Sequence, residues 1–158
     1  MSWLLQRVPT LLNETMDDRG VDLSNQAFNA KLAVTKPGGS VYPIHIDNPQ
    51  GESVGDTRKL TVIVYLNPDY EKGDGGELRL FLNDSVIRDY PPEGGRVLMF
   101  WSDEIPHEVL PTSPNADPND TEKDRYALTV WIPTNSANQH IHSSSSKFKD
   151  LGDEVFTS

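Results

Sequence analysis

Three residues in this sequence have the side chains and the spacing to bind one divalent metal ion: His45, Asp47 and His107. One residue separates His45 from Asp47, so in an extended strand both side chains project from the same face. Two imidazoles and one carboxylate cover one face of an iron(II) ion and leave the other face open for a co-substrate and dioxygen. A surface histidine beside an acid is the alternative interpretation of the His-x-Asp pair. If the three side chains converge, the sequence predicts an oxygenase.

The surroundings of His107 favour a binding site over an isolated histidine. His107 follows the apolar segment 97–101, and Pro106 restricts the residue before it to an extended conformation, which helps to fix how His107 is presented. A structural histidine without a metal is the alternative. His140 and His142 have a strand-like spacing as well. They lie in a serine-rich tail with no third ligand nearby, so we assign them to solvent.

A second group of residues has the chemistry to bind a small carboxylate. One face of the predicted last strand carries an arginine followed by small, hydroxylic and aromatic residues: Arg125, Ala127, Thr129 and Trp131. A guanidinium binds a carboxylate bidentately, and a small residue beside it leaves room for a carbon chain. Tyr65 shares a strand face with Ile63 and can donate its hydroxyl to the same carboxylate. The alternatives are a solvated edge-strand arginine and a core tyrosine.

The chain has one helical pattern, and the rest of it indicates strands separated by Gly- and Pro-rich turns. Residues 1–16 have helical spacing, with an apolar stripe of Trp3, Leu4, Val8, Leu11 and Leu12. Strands are predicted at 30–35, 41–46, 58–66, 77–82, 86–90, 96–101 and 126–132. Many short strands with little helix indicate a sandwich or barrel, and a double-sheet jelly roll fits best because it holds small ligands between its sheets.

The length of 158 residues predicts a single domain. Its core is expected at about 30–133, with a mobile loop insertion at 111–124 and a polar tail at 136–158. The tail is expected to end in a short helix near Leu151.

Composition excludes several classes of function. A formal net charge of −10 argues against nucleic acid as a partner, because phosphate binding needs a basic surface. The acidity either serves solubility or favours a basic or neutral peptide partner. The chain has no cysteine, which rules out disulfides, thiolate catalysis and cysteine-ligated metals. No apolar run reaches transmembrane length, so we predict no membrane association and a cytoplasmic location. The nucleus as a second location and a monomeric state are further expectations.

Read together, the motifs resemble the prolyl hydroxylase branch of the iron(II)- and 2-oxoglutarate-dependent dioxygenases. The segments that carry the resemblance are YPIHIDNPQG (42–51), RKLTVIVYLN (58–67), GGELRLF (75–81), FWSDEIPHEV (100–109) and RYALTVW (125–131). Their order and spacing are most similar to the hypoxia-inducible-factor type of prolyl hydroxylase, over about residues 30–133. Two departures stand out. Lys36 falls where the family typically has a tyrosine, and Arg125 follows the distal histidine at a longer distance than usual.

The resemblance implies a double-stranded β-helix, a cupin-like jelly roll, with a short N-terminal helix. It implies that His45, Asp47 and His107 ligate iron(II) and that Arg125, Tyr65 and Thr129 bind the far carboxylate of 2-oxoglutarate. The other implied pocket residues are Ile63, Leu78, Ala127 and Trp131, with Tyr42 near the iron and Arg58 near the peptide groove. The resemblance further implies dioxygen as the second co-substrate and ascorbate as an accessory cofactor.

The implied reaction is hydroxylation of C4 of a prolyl residue in a protein or peptide, with succinate and carbon dioxide as co-products, and the family type is associated with oxygen sensing. Segments 48–57 and 72–76 would fold over the bound peptide. One alternative is a related hydroxylase that acts on another residue or a free amino acid. The other is a catalytically silent binding module of the same fold.

Overall fold

Alternating apolar residues between Gly and Pro turns produce a chain of short strands. A computed structural model describes residues 2–17, 20–51, 56–83 and 85–135, with no account of side chains 2–4. The described residues contain one α-helix, α1 (Ser2–Thr15). The strands are β1 (Asn29–Thr35), β2 (Ser40–His45), β3 (Arg58–Tyr65), β4 (Leu78–Asn83), β5 (Val86–Tyr90), β6 (Val97–Trp101), β7 (His107–Thr112) and β8 (Arg125–Pro133). Most of the predicted strands agree with these bounds to within one residue.

The eight strands form two four-stranded antiparallel sheets. The first has the order β1-β8-β3-β6, and the second has the order β2-β7-β4-β5. Apart from the β4–β5 hairpin, strands that pair within a sheet are not consecutive in the chain, so the chain crosses between the two layers. Double-sheet jelly rolls are built in this way. The predicted mainly β jelly roll is therefore confirmed.

The space between the sheets is filled by residues that alternate inward. Tyr65 and Ala127 are register partners on β3 and β8, and both are buried. They belong to an inner cluster with Ile63, Leu78, Leu80 and Phe100. The alternation predicted for β3 and β8 thus defines an inner face that contains the candidate pocket residues.

The helix α1 covers part of the opposite face of the first sheet. Leu5, Val8, Leu12 and Met16 pack against a buried outer cluster made by Val21, Leu23, Leu60, Val62, Val130 and Ile132. Asn13 fixes the helix by hydrogen bonds in both directions with the backbone of Leu23, each 2.8 Å long. The prediction that Leu11 belongs to the apolar stripe was wrong. Leu11 is 49% exposed because the helical period turns it away from the packed side. The side chains of Trp3 and Leu4 lie outside the described residues.

The strand β7 was missing from the sequence prediction, and part of it was assigned to the loop insertion. Pro111 and Thr112 close β7 instead of opening a loop. Proline removes a backbone donor and interrupts the apolar alternation, which hides the strand in the sequence. β7 lies between β2 and β4, and its pairing with them defines it.

The rest of segment 111–124 is attached to neighbouring turns. The amide of Gly38 donates to the Ser113 carbonyl at 2.9 Å, and residues 121–123 form a short 3-10 helix. Lys36 pairs with Asp124 at 2.9 Å, and Lys123 pairs with Asp74 at 3.2 Å. The tail 136–158, with His140, His142 and the predicted helix near Leu151, lies outside the described residues. No helix within the described part of the chain has the length and hydrophobicity to span a membrane.

Candidate metal and co-substrate site

Pairing of β2 with β7 brings the two histidines together across the strands. His45 and His107 are direct register partners, and their ring centroids are 4.2 Å apart. Asp47 follows β2 by two residues, and its Oδ1 lies 3.4 Å from His45 Nε2 and 3.8 Å from His107 Nε2. The three ligand atoms all lie within 4.8 Å of one another. The structure therefore places the three predicted ligands around one point.

The hydrogen bonds of the two imidazoles suit metal binding. His45 Nδ1 lies 2.9 Å from the Pro43 carbonyl oxygen, and His107 Nδ1 lies 3.0 Å from the Ile105 carbonyl oxygen. A carbonyl oxygen only accepts, so each Nδ1 carries a proton, and Nε2 is the ring nitrogen that each histidine turns toward Asp47. Metal-ligating histidines are typically oriented by such backbone contacts. Two imidazoles that present Nε2 and one carboxylate form a donor set that fits iron(II).

The two oxygens of the Asp47 carboxylate have different partners. Oδ2 accepts hydrogen bonds from Thr61 Oγ1 at 2.6 Å and from Trp131 Nε1 at 2.9 Å. Thr61 in turn lies 2.8 Å from Ser102 Oγ, and both of these side chains are fully buried. Oδ1 faces the histidines. The protein thus holds one carboxylate oxygen and presents the other to the metal position.

The protonation states agree with this arrangement. Burial raises the pKa of Asp47, but contacts from His45, His107, Thr61 and Trp131 outweigh burial and hold the pKa of the carboxyl far below its usual range. Burial lowers the pKa of His107 to about 4, and the neighbouring His45 acts in the same direction. At neutral pH Asp47 is therefore an anion and His107 is neutral, as metal ligation requires.

Tyr65 and Arg125 place a second pair of buried polar groups in the protein interior. The Tyr65 hydroxyl is buried, and no residue in the described parts of the chain makes a hydrogen bond with it. The Arg125 guanidinium lies 5.1 Å from the centre of the Tyr65 ring, and its Nε donates to the Gly76 carbonyl at 2.8 Å. Burial raises the pKa of Tyr65 to about 12, against the effect of the nearby Arg125 cation. A protonated hydroxyl beside a buried cation fits an incoming carboxylate.

Gly76, in the turn that precedes β4, makes room for Arg125. Gly76 has a φ of +71°, and a Cβ at this position would lie 2.8 Å from Arg125 Cδ and 3.0 Å from Thr112 Oγ1. A side chain at position 76 would therefore displace the arginine. This glycine lies within the GGELRLF motif.

The remaining predicted pocket residues occupy the inner face or its mouth. Ile63, Leu78 and Ala127 are buried in the inner cluster, and Thr129 is the register partner of Ile63. The Tyr42 ring contacts the His45 ring at 4.6 Å between centroids. Trp131 donates a hydrogen bond to Asp47 through Nε1. The Arg58 guanidinium lies over the Trp131 ring, 5.6 Å from its centroid.

Sequence reasoning missed four residues that support the metal position. Phe100 packs against the His107 ring at 4.7 Å between centroids. Asn48 Nδ2 donates to the carbonyls of Asp56 and Arg58, at 3.1 and 2.9 Å. The backbone N–H of Asn48 donates to the Ser102 carbonyl. Ser102 and Thr61 form a chain of hydrogen bonds that ends at Asp47 Oδ2. The FWSDEIPHEV motif already contains Phe100 and Ser102, but their contacts depend on strand register.

Comparison with known proteins identifies the family. The family model described as the 2OG-Fe(II) oxygenase superfamily matches residues 30–133. The chain belongs to this superfamily. The resemblance seen in the sequence is confirmed, and membership in the 2OG-Fe(II) oxygenase superfamily implies iron(II), 2-oxoglutarate and dioxygen as the metal and the co-substrates. The donor set of the triad fits the first of these.

Proteins similar to this superfamily member include prolyl hydroxylases. Egl nine homolog 1 of Rattus norvegicus is 38% identical over 132 residues, which cover 77% of this chain and 35% of that protein. The chain thus spans about a third of the length of this curated relative. The crystal structure of a Pseudomonas putida prolyl-4-hydroxylase has a TM-score of 0.64 and 31% identity, covering 82% of this chain and 64% of the other.

A third relative was solved with a peptide. It is a prolyl hydroxylase in complex with a hypoxia inducible factor oxygen degradation domain peptide fragment from Trichoplax adhaerens. It has a TM-score of 0.59 and 29% identity, and the match covers 79% of this chain and 54% of that one.

Proposed function

We propose that the protein is an iron(II)- and 2-oxoglutarate-dependent dioxygenase that hydroxylates C4 of a prolyl residue in a protein or peptide. The convergence of His45, Asp47 and His107 carries this proposal, because these three side chains supply the donor set that holds iron(II) in oxygenases. The similar proteins that are named prolyl hydroxylases support the choice of target.

The proposal assigns a role to each group of residues. His45 Nε2, Asp47 Oδ1 and His107 Nε2 would hold iron(II). Arg125 and Tyr65, with Thr129 in support, would hold the far carboxylate of 2-oxoglutarate. With both bound, the chemistry they supply is activation of dioxygen for insertion of one oxygen atom into a C–H bond, coupled to formation of succinate and carbon dioxide.

The protein contributes position and exclusion of water. The Arg125 cation is buried and held at the Gly76 carbonyl, so it meets a carboxylate without reorganising. The Tyr65 hydroxyl gains the partner it lacks when it donates to the same carboxylate. Ile63, Leu78 and Ala127 form dry walls around the carbon chain.

The peptide would approach from the side of the iron site that Tyr42 and Arg58 flank. Tyr42 is 51% exposed and contacts His45, while Arg58 stacks on Trp131, the partner of Asp47. The relative with a bound peptide supports a proline-containing polypeptide as substrate. Closure of 48–57 and 72–76 over the peptide, ascorbate dependence, a monomeric state, and a cytoplasmic or nuclear location stay predictions.

The test is to load the protein anaerobically with iron(II) and 2-oxoglutarate and then to add air and a panel of proline-containing peptides. The expected result is succinate formation together with a mass gain of one oxygen atom on a prolyl residue, with neither product in Asp47→Ala. Full turnover in Asp47→Ala would contradict the assignment of the metal site. Oxygen on a different residue would support the related-hydroxylase alternative. Failure to bind iron(II) in a titration would favour the silent binding module.

A further inference from the structure

A separate cavity lies beside the start of β8, outside the metal position. It has a volume of about 620 Å³, within the range that holds small ligands. Two chain segments form most of its wall: residues 66–75 after β3 and residues 112–126 around the start of β8. None of the three metal ligands lines it, and neither does Tyr65, but Arg125 does. The proposed reaction gives no role to the rest of the cavity wall.

Two buried oxygens at this cavity have no partner among the residues that the structure describes. The Asp124 side chain is only 4% exposed, and its Oδ2 pairs with Lys36 Nζ at 2.9 Å, but Oδ1 makes no hydrogen bond. Thr112 is 2% exposed, and its Oγ1 also lacks a partner. Both residues line the cavity. A buried carboxylate oxygen without a donor costs free energy, which a ligand with N–H donors would recover.

The charge of the wall points to a cation. Five acidic residues line the cavity, namely Asp69, Glu71, Asp74, Glu122 and Asp124. Only two basic residues join them, and both are engaged: Lys123 pairs with Asp74, and Arg125 donates to the Gly76 carbonyl. Apart from the triad, no group of three or more histidines and carboxylates in the described part of the chain converges closely enough for a metal ion. The acidic wall therefore suits an organic cation.

We propose that this cavity binds an alkylammonium or guanidinium group, with Asp124 Oδ1 as the principal acceptor. An ammonium has three N–H donors and a guanidinium five, so either can donate to Asp124 Oδ1 and to other wall oxygens. Such a group is carried by a lysine or arginine side chain of a polypeptide and by free amines. Asp124 and Glu122 belong to segment 111–124, which gives this segment a binding role. The inference does not require the reaction proposed above, although Arg125 lines this cavity and also belongs to the proposed co-substrate site.

The test is a titration of the whole protein followed by the backbone amide NMR shifts of Asp74, Ser113 and Asp124. The ligands are N-acetyl-lysine methylamide, N-acetyl-arginine methylamide and butylammonium, with N-acetyl-norleucine methylamide as the neutral control. We expect saturable shifts with the cationic ligands and none with the norleucine compound. Tighter binding of the amino acid amides than of butylammonium would identify polypeptide as the source, whereas equal binding would identify free amines. Equal shifts with norleucine would overturn the proposal.

Variants separate the carboxylate from its surroundings. Asp124→Asn should weaken binding of the lysine amide about tenfold, because it removes a charge-assisted hydrogen bond. Asp117→Asn is the matched control, since it makes the same charge change in the same segment outside the cavity wall. Lys36→Met removes the ion pair but keeps the carboxylate and should preserve or tighten binding. If Asp124→Asn does not fold, Thr112→Val provides a second variant, with an expected loss of severalfold. Unchanged affinity in the folded Asp124→Asn protein, or in Thr112→Val where that variant replaces it, would refute the assignment.

Discussion

The Asp47 carboxylate shows how single contacts prepare the metal position. Thr61 and Trp131 occupy Oδ2, so that Oδ1 alone faces His45 and His107. A carboxylate fixed through one oxygen cannot rotate away from the metal, and this saves ordering entropy at the moment of binding.

Thr61→Val should weaken metal binding by about tenfold, because partners of metal ligands typically contribute this much. The measurement is an anaerobic titration with cobalt(II), a redox-stable substitute for iron(II). Thr61→Ser keeps the hydroxyl and should bind nearly as well as the original protein. Equal losses in the valine and serine variants would show that packing at position 61, and not the hydrogen bond, is responsible.

Tyr65→Phe should raise the Kd for 2-oxoglutarate about tenfold, since it removes a buried donor to a charged group. Burial raises the pKa of Tyr65 to about 12, so the hydroxyl stays protonated in the ordinary working range. The Kd of Tyr65→Phe divided by the Kd of the original protein should therefore stay constant from about pH 6 to about pH 10. Above that, this ratio should fall, because ionisation of the hydroxyl weakens binding only in the original protein. An unchanged Kd in Tyr65→Phe at neutral pH would remove Tyr65 from the co-substrate site.

At the residue scale, sequence spacing predicts the ligands but not the residues that support them. His45 and Asp47 are close in sequence, and strand geometry alone places them on one face. Thr61 lies on another strand, and its contact with Asp47 depends on how the loop after β2 returns to β3. The Asn48 side chain joins β2 to the start of β3, because its Nδ2 donates to the carbonyls of Asp56 and Arg58. No sequence periodicity reveals this contact.

At the scale of elements, the turn before β4 positions Arg125. Gly76 has a positive φ, and the space where its Cβ would lie is occupied by Arg125 and Thr112. Gly73 in the same turn also has a positive φ, of +107°, but nothing lies within 4 Å of its Cβ position. The two glycines therefore separate backbone strain from displacement of the arginine.

Both Gly76→Ala and Gly73→Ala should lower the free energy of unfolding by about 1 kcal/mol through strain at positive φ. Only Gly76→Ala should also weaken 2-oxoglutarate binding, by severalfold, because its methyl group displaces Arg125. Chemical unfolding and 2-oxoglutarate titration measure the two effects. The same Kd in both variants would contradict the role given to Gly76.

The elements themselves could be predicted to different extents. β3, β6 and β8 have β-branched or apolar alternation, and the sequence predicts them to within one residue. β7 carries His107 but has a proline near its end, and its place between β2 and β4 comes from long-range pairing. Local pattern therefore predicts the site's scaffold, while the strand that brings His107 to His45 is set by topology.

At the scale of the whole molecule, metal binding should be coupled to stability. A ligand that binds only the folded state at a hundred times its Kd adds about 2.7 kcal/mol, which raises Tm by roughly 5–10 °C for a chain of this size. Thermal unfolding with and without cobalt(II) should show this rise, and His107→Ala should abolish it. An equal rise in His107→Ala would mean that the ion binds elsewhere.

In the proposed reaction, one oxygen atom of dioxygen enters a prolyl C–H bond while 2-oxoglutarate is converted to succinate and carbon dioxide. The most direct measurement is a reaction under ¹⁸O-labelled dioxygen with iron(II), 2-oxoglutarate and the proline-containing peptides, followed by mass spectrometry of both products. We predict one labelled atom in the hydroxylated peptide and one in succinate, in equal amounts, and no product in Asp47→Ala. Peptide oxygen derived from water, or hydroxylation without succinate, would contradict the claim.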